Sequence, residues 1–296
     1  CLFLLRHKRL TNLTNVLVVN STIISAAANA FGAVSTANSP GSHINWENVT
    51  TIDTFVYTQT NLGSAYSAVL SLSGTTARLS NCNFSRASVF SPGTTYGAMI
   101  NAKSTRLSQC HIVVINTTFS DSLAGSPTSP AYGGSVNLEC GGLIDADDDD
   151  SDDDDTDDDD TDSDDTAGQV ICPHAVTGTF VNTTFRNSRV TSQLGDAFGG
   201  VFNVAFGASL NLEASTVESA SVYSNQSDAY GGVFRVADTS TLTVIGSTVL
   251  GSSVSTTLGN ARGGVLQISS RSVASFDNCT FSNASATTAV AGQAQG

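Results

Sequence analysis

Acid–base or metal-assisted chemistry needs carboxylates set beside one another, or beside Arg, Lys or His. The chain of 296 residues carries 26 Asp and Glu against 12 Lys and Arg, a formal charge of −14. Sixteen of those acids are Asp between Asp145 and Asp165, so the rest of the chain, with ten acids, is close to neutral. The ten are Glu47, Asp53, Asp121, Glu139, Asp196, Glu213, Glu218, Asp228, Asp238 and Asp277. Only Asp196 and Asp228, with Asn260, fall into a common column, each two residues before an aromatic or an arginine. An Asx side chain just before a tight corner serves as a turn-former, because it hydrogen-bonds nearby backbone. The four histidines, His7, His43, His111 and His174, are read as sharing no column. No paired-Asp or Arg-x-x-Lys grouping is present, so no catalytic residue and no metal-ligand set is assigned. No basic stripe marks a nucleic-acid partner.

Other residues suit binding or modification better than catalysis. Phe31, Tyr66, Tyr96, Tyr132, Phe198 and Tyr230 each precede a small residue, usually Gly, and form an aromatic column. Such a column either packs against sugar rings or a partner, or stacks within the core at a corner. The spacing from Gly200 and Phe202 predicts inward-facing rings and structural stacking. Nine Asn-x-Ser/Thr sequons, at Asn12, Asn20, Asn48, Asn83, Asn116, Asn182, Asn225, Asn278 and Asn283, are candidate glycan acceptors. Several of them also occupy a recurring turn position, where Asn tolerates left-handed dihedrals.

None of the six cysteines forms a Cys-x-x-Cys pair, which argues against a zinc or redox site. Cys82 and Cys279 share a column several coils apart and read as small buried residues. Cys140 and Cys172 bracket the acidic stretch, so a disulfide between them would clamp its root in an oxidising compartment. The stretch itself, residues 141–171, holds runs of four Asp divided by Ser151, Thr156 and Thr161. Like charges at that density stay solvated, which predicts a disordered loop. A loose Ca²⁺ association is its sharper alternative, although neither an EF-hand loop nor a Gly-Gly-x-Gly-x-Asp repeat is present.

The element that positions all these residues is a repeat. Ala197-Phe198-Gly199-Gly200-Val201-Phe202-Asn203-Val204 recurs 32 residues on as Ala229 to Val236, and again as Ala261 to Ile268. Within one period Phe202 and Val204, Leu210 and Leu212, then Val217 and Val222 alternate with polar residues. Period-2 alternation in short runs between Gly, Ser, Asn and Thr reads as strands with one buried face. Each period is expected to supply about three strands, too few to bury a core alone, so periods must stack. The expected fold is an all-β, right-handed parallel β-helix of about eight coils, a single-stranded solenoid. It forms one array over 1–296 with the acidic insertion inside it.

Gly-Gly before an apolar strand, together with Phe185-Arg186-Asn187 and Phe281-Ser282-Asn283, resembles two related groups. They are the pectin-lyase-like β-helix superfamily and the repeats of chlamydial polymorphic outer-membrane proteins, whose Phe and Asn stand one residue further apart. The resemblance covers nearly the whole chain outside the acidic stretch. It implies a non-catalytic extracellular or cell-surface scaffold, adhesin-like, with glycans or cell-surface proteins as partners. Its alternative is a polysaccharide lyase or hydrolase whose catalytic coils are degenerate or lie elsewhere. The apolar run Val16–Val19 is too short to span a bilayer. Gly264 plus one period is the last residue, Gly296, so further coils of the same chain are expected at both ends.

Overall fold

The computed structural model describes residues 3–5, 10–26, 28–60, 63–105, 107–140, 174–290 and 292–296. Cys1, His7, Cys172 and the acidic insertion lie outside the described residues. Those that are described form a parallel β-solenoid without a helix. One rung shows the plan. Phe202–Ala205 lies in the first wall, Ser209–Glu213 in the second, and Thr216–Glu218 then Ser221–Ser224 in a bent third. The next corner, Ala229–Tyr230, belongs to a narrow fourth wall of two-residue strands. Eight strands stack in each of the first, second and fourth walls.

Five strands per rung replace the three expected. The third apolar run is divided at Ser219, whose φ of 57° bends the chain between Val217 and Val222. The same bend recurs at Asn20, Asp53, Arg86, Asp121, Asn187, Gly251 and Asn283, all left-handed. A second left-handed column, Asn15, Asn48, Asn81, Asn116, Asn182, Ala214, Gly246 and Asn278, separates the second wall from the third. Asn suits such a turn because its short amide can hydrogen-bond locally. Here the amides also bond between rungs: Asn48 donates to Asn15 at 3.1 Å, Asn116 to Asn81 at 3.3 Å and Asn182 to Asn116 at 2.8 Å.

All rung-to-rung pairing is parallel and in step with the repeat. Phe202 opposes Phe234, which opposes Leu266, and the two rings lie 5.5 Å apart with planes 9° from parallel. They belong to one continuous core in which Phe84 packs at a tilt on Phe119 at 5.2 Å and Phe119 stacks on Phe185 at 4.9 Å. Each fully buried ring contributes roughly 2–3 kcal/mol of apolar transfer. A second, smaller core lies behind the fourth wall, where Ala131, Ala197, Ala229 and Ala261 pack on Val190, Val222 and Val254. Alanine fills this narrow corner on every described rung except one, where the buried Thr95 stands.

Both glycines of the corner pair are required, for different reasons. Gly199 has φ +62° and Gly231 +65°, left-handed values that an L residue reaches only with strain. Gly200 and Gly232 instead face the carbonyl of the next rung's glycine, and a Cβ would lie 2.1 Å and 2.0 Å from that oxygen.

Candidate functional site

The aromatic column stands on the outer surface, opposite to the inward parity expected from Gly200. The left-handed Gly199 ends the strand Ala197–Phe198, so Ala197 turns to the interior and Phe198 to the opposite face, where Tyr132, Tyr230 and Arg235 cover its ring and leave it 9 % exposed. Upward from Phe31, successive rings lie 4.6, 4.9, 5.3, 4.8 and 5.1 Å apart with planes 3–8° from parallel, ending at Tyr230. Arg262 continues the column, its guanidinium 5.7 Å from the Tyr230 ring. A sugar ring held between two aromatic faces needs them roughly 7–8 Å apart, twice a van der Waals contact. These rings are too close for that. Their faces are occupied by one another, and what they offer to solvent is edges and hydroxyls.

The ladder shares a concave outer corner with the first wall. Ile100 and Ala102 point inward, so Asn101 and Lys103 point outward beneath the rings. Stacking the rungs aligns Ser71, Asn101, Asn137, Asn203 and Arg235 in one column. Its amides hydrogen-bond in a single direction. Arg235 Nη1 donates to Asn203 at 2.9 Å, Asn203 to Asn137 at 2.7 Å and Asn137 to Asn101 at 2.9 Å. Lys103 lies 4.6 Å from the Tyr96 ring centre and pairs with Glu139 at 3.0 Å. Arg235 lies 4.4 Å from the Phe198 ring centre. Two hollows open along this corner. One of about 140 Å³ touches Tyr96, Tyr132, Glu139, Asn203, Phe206 and Arg235. The other, of about 290 Å³, lies upstream around Tyr66, Ser71, Ser73, Asn101 and Lys103.

Burial sets the protonation of these groups. It pushes the Tyr96 phenol far above its usual range, reinforced by the Glu139 charge, and raises Tyr132 as well. Tyr230 is pushed up to about 12 by burial and by its 2.7 Å hydrogen bond to Asp228. Burial also lowers the Arg235 guanidinium from its ordinary value. At neutral pH the phenols therefore keep their protons and serve as donors.

The acid column does turn work. Burial raises the Asp228 carboxyl, but hydrogen bonds from the Asn260 amide, the Tyr230 hydroxyl and the Asn260 side chain outweigh it and hold the group below the usual range. Asp196 likewise accepts from the Asp228 amide at 3.1 Å and from the Ser227 hydroxyl. Each Asx thus caps the next rung's corner. On the third wall Asp53 pairs with Arg86 at 2.5 Å and Glu218 with Arg186 at 2.9 Å. Among the described residues no group of three or more His, Cys, Asp and Glu could hold a metal.

Two histidines do share a column, contrary to expectation. His43 and His111 both oppose Thr76, one rung below and one above, on the outer face of the second wall. His111 Nδ1 is 2.5 Å from Thr177 Oγ1. Irregular upstream coil lengths hide this alignment from the 32-residue period. The column Ser71, Asn101, Asn137 and Asn203 was missed for the same reason. Its signal is a polar residue between two inward apolar ones, as in Ile100-Asn101-Ala102 and Val136-Asn137-Leu138.

Of the cysteines, Cys82, Cys110 and Cys279 are free, and burial pushes the Cys110 thiol up to about 12. Cys140 is in a disulfide, while the Cys172 of the expected pairing lies outside the described residues. The sequon side chains are exposed except Asn225, which is half-buried and accepts from the Tyr223 hydroxyl at 3.2 Å. No helix among the described residues is long and apolar enough to cross a membrane. Together these features define the class: a parallel β-solenoid with a polar outer corner backed by an aromatic ladder. No protein-family model, curated protein or solved structure matches the chain.

Proposed function

We propose that the chain is a non-catalytic extracellular or cell-surface scaffold of pectin-lyase-like type, adhesin-like, whose outer corner binds glycans or surface proteins. The observation that carries the reading is the polar row beside the ladder, where Asn101, Asn137 and Asn203 stack on successive rungs among the Tyr66, Tyr96, Tyr132 and Tyr230 phenols, with Lys103 and Arg235 set against the rings. Repetition at the inter-strand spacing of roughly 4.8 Å suits an extended polymer, which can contact several rungs at once. Ring edges and hydroxyls contact such a ligand by hydrogen bonding, because the faces are taken by neighbouring rings. The described acids whose contacts are set out above are engaged in corner caps or ion pairs, an arrangement that favours scaffold over lyase or hydrolase. Glycan at exposed sequons, a Cys140–Cys172 disulfide and loose Ca²⁺ at the Asp runs belong to the same extracellular reading.

Two measurements on one preparation test it. The purified chain is passed over glycan and cell-surface protein arrays, and incubated with pectin-type and other acidic polysaccharides while unsaturated and reducing ends are followed. Binding without turnover is expected. Reproducible turnover, or no ligand on either array, overturns the scaffold reading.

A further inference from the structure

The amide chain of the corner runs one way and stops short. Arg235, Asn203 and Asn137 each donate to the residue one rung upstream, and Asn101 accepts the last of these bonds. The next residue in the column is Ser71, whose shorter side chain receives no bond from Asn101. Asn101 is only 2 % exposed and lines the 290 Å³ hollow, and among the described residues its side chain accepts from Asn137 but donates no hydrogen bond. Hydrogen bonds in a chain polarise one another toward the terminal donor, and here that donor is left to the hollow. Lys103 Nζ lines the same hollow, and its charge is already answered by Glu139 at 3.0 Å. The hollow is thus lined by an amide and by an ammonium whose charge is paired.

Resting on the glycan-binding reading above, we infer that this hollow is a saccharide subsite in which Asn101 Nδ2 and Lys103 Nζ donate to an uncharged acceptor oxygen, a sugar hydroxyl or an acetamido carbonyl. An oxyanion is disfavoured, because it would compete with Glu139 for the same ammonium. The ring edge of Tyr66 and the hydroxyls of Ser71 and Ser73 bound the space that the sugar occupies.

The test is calorimetric titration of the full chain with a neutral hexose tetramer, a tetramer of N-acetylated hexosamine, a uronate tetramer and inorganic sulfate. The expected result is binding of at least one uncharged tetramer, little changed between 50 and 500 mM salt (about a tenfold range), and no competition by sulfate. Asn101→Ala should weaken that binding about tenfold, the scale of one hydrogen bond to a charged or polarised donor. Ser73→Trp leaves the amide chain intact and fills the hollow, so it should weaken binding as much with an unchanged melting temperature. Unchanged binding in the Ser73→Trp chain, or binding confined to uronate or sulfate, overturns the subsite and leaves the scaffold reading standing. Failure of every saccharide to bind the parent chain overturns the subsite together with the glycan-binding reading, and the scaffold then stands only on a protein ligand.

Discussion

A single methyl group separates two kinds of glycine in this chain. Gly246 sits in the left-handed column with φ 56° and nothing within 4 Å of a Cβ built on it. Gly232 has the Gly264 carbonyl oxygen 2.0 Å from that position. Gly246→Ala should therefore cost about 1–2 kcal/mol, the price of the dihedral alone. Gly232→Ala forces two rungs apart at the corner and should cost about 3 kcal/mol or more, toward the upper end of overpacking. Denaturant midpoints of the two variants check this, and equal losses would mean that the rungs have room to separate. The equivalents Ala33, Ala68 and Ala98 carry the methyl already, so the close approach begins at Gly134, whose Cβ would lie 2.2 Å from the Gly200 oxygen. The free donor of Asn101 is likewise a one-residue matter, created where the run of amides ends at Ser71.

Among elements, the two-residue strand of the fourth wall has the largest effect for its length. Tyr132 lies between Tyr96 at 5.3 Å and Phe198 at 4.8 Å, with Ala131 behind it in the small core. Tyr132→Ala removes both ring contacts and should lower stability by about 2–4 kcal/mol, whereas Tyr132→Phe, which keeps the stack, should be near neutral. Thermal and denaturant unfolding of the pair decides the matter. Loss of ligand with full stability in Tyr132→Ala would instead mean free ring faces. This element is also where sequence and structure part company. The walls were legible because Phe202, Val204, Leu210 and Leu212 alternate over lengths that periodicity can register. Two residues are too few to show a period, so the outward turn of Phe198 depends on the dihedral of Gly199, which composition does not reveal. The bend at Ser219 was equally hidden, since Arg86 and Ser219 adopt left-handed values without the Asn or Gly that usually announces them. Of the corner, the aromatic side was readable as a column, but the amide side was not, because coil lengths upstream of Ala197 vary.

At the scale of the molecule, stability is spread along a stack in which each rung touches its neighbours. Register is kept across the acidic stretch: Cys110 to Ile115 pairs with Val176 to Val181, and Val136 with Phe202, without a slipped residue. Deleting residues 145–165 while keeping Cys140 and Cys172 removes sixteen Asp and leaves every described wall strand intact. The melting temperature of that variant should match the parent's at moderate salt, and a large drop would mean that the acidic run holds the stack together. The tolerance also works in the other direction. If the rungs on either side keep their pairing when the sequence between Cys140 and His174 is changed, that position is a ready cassette. An epitope, enzyme or fluorescent reporter spliced into it would be displayed at one known rung of the stack.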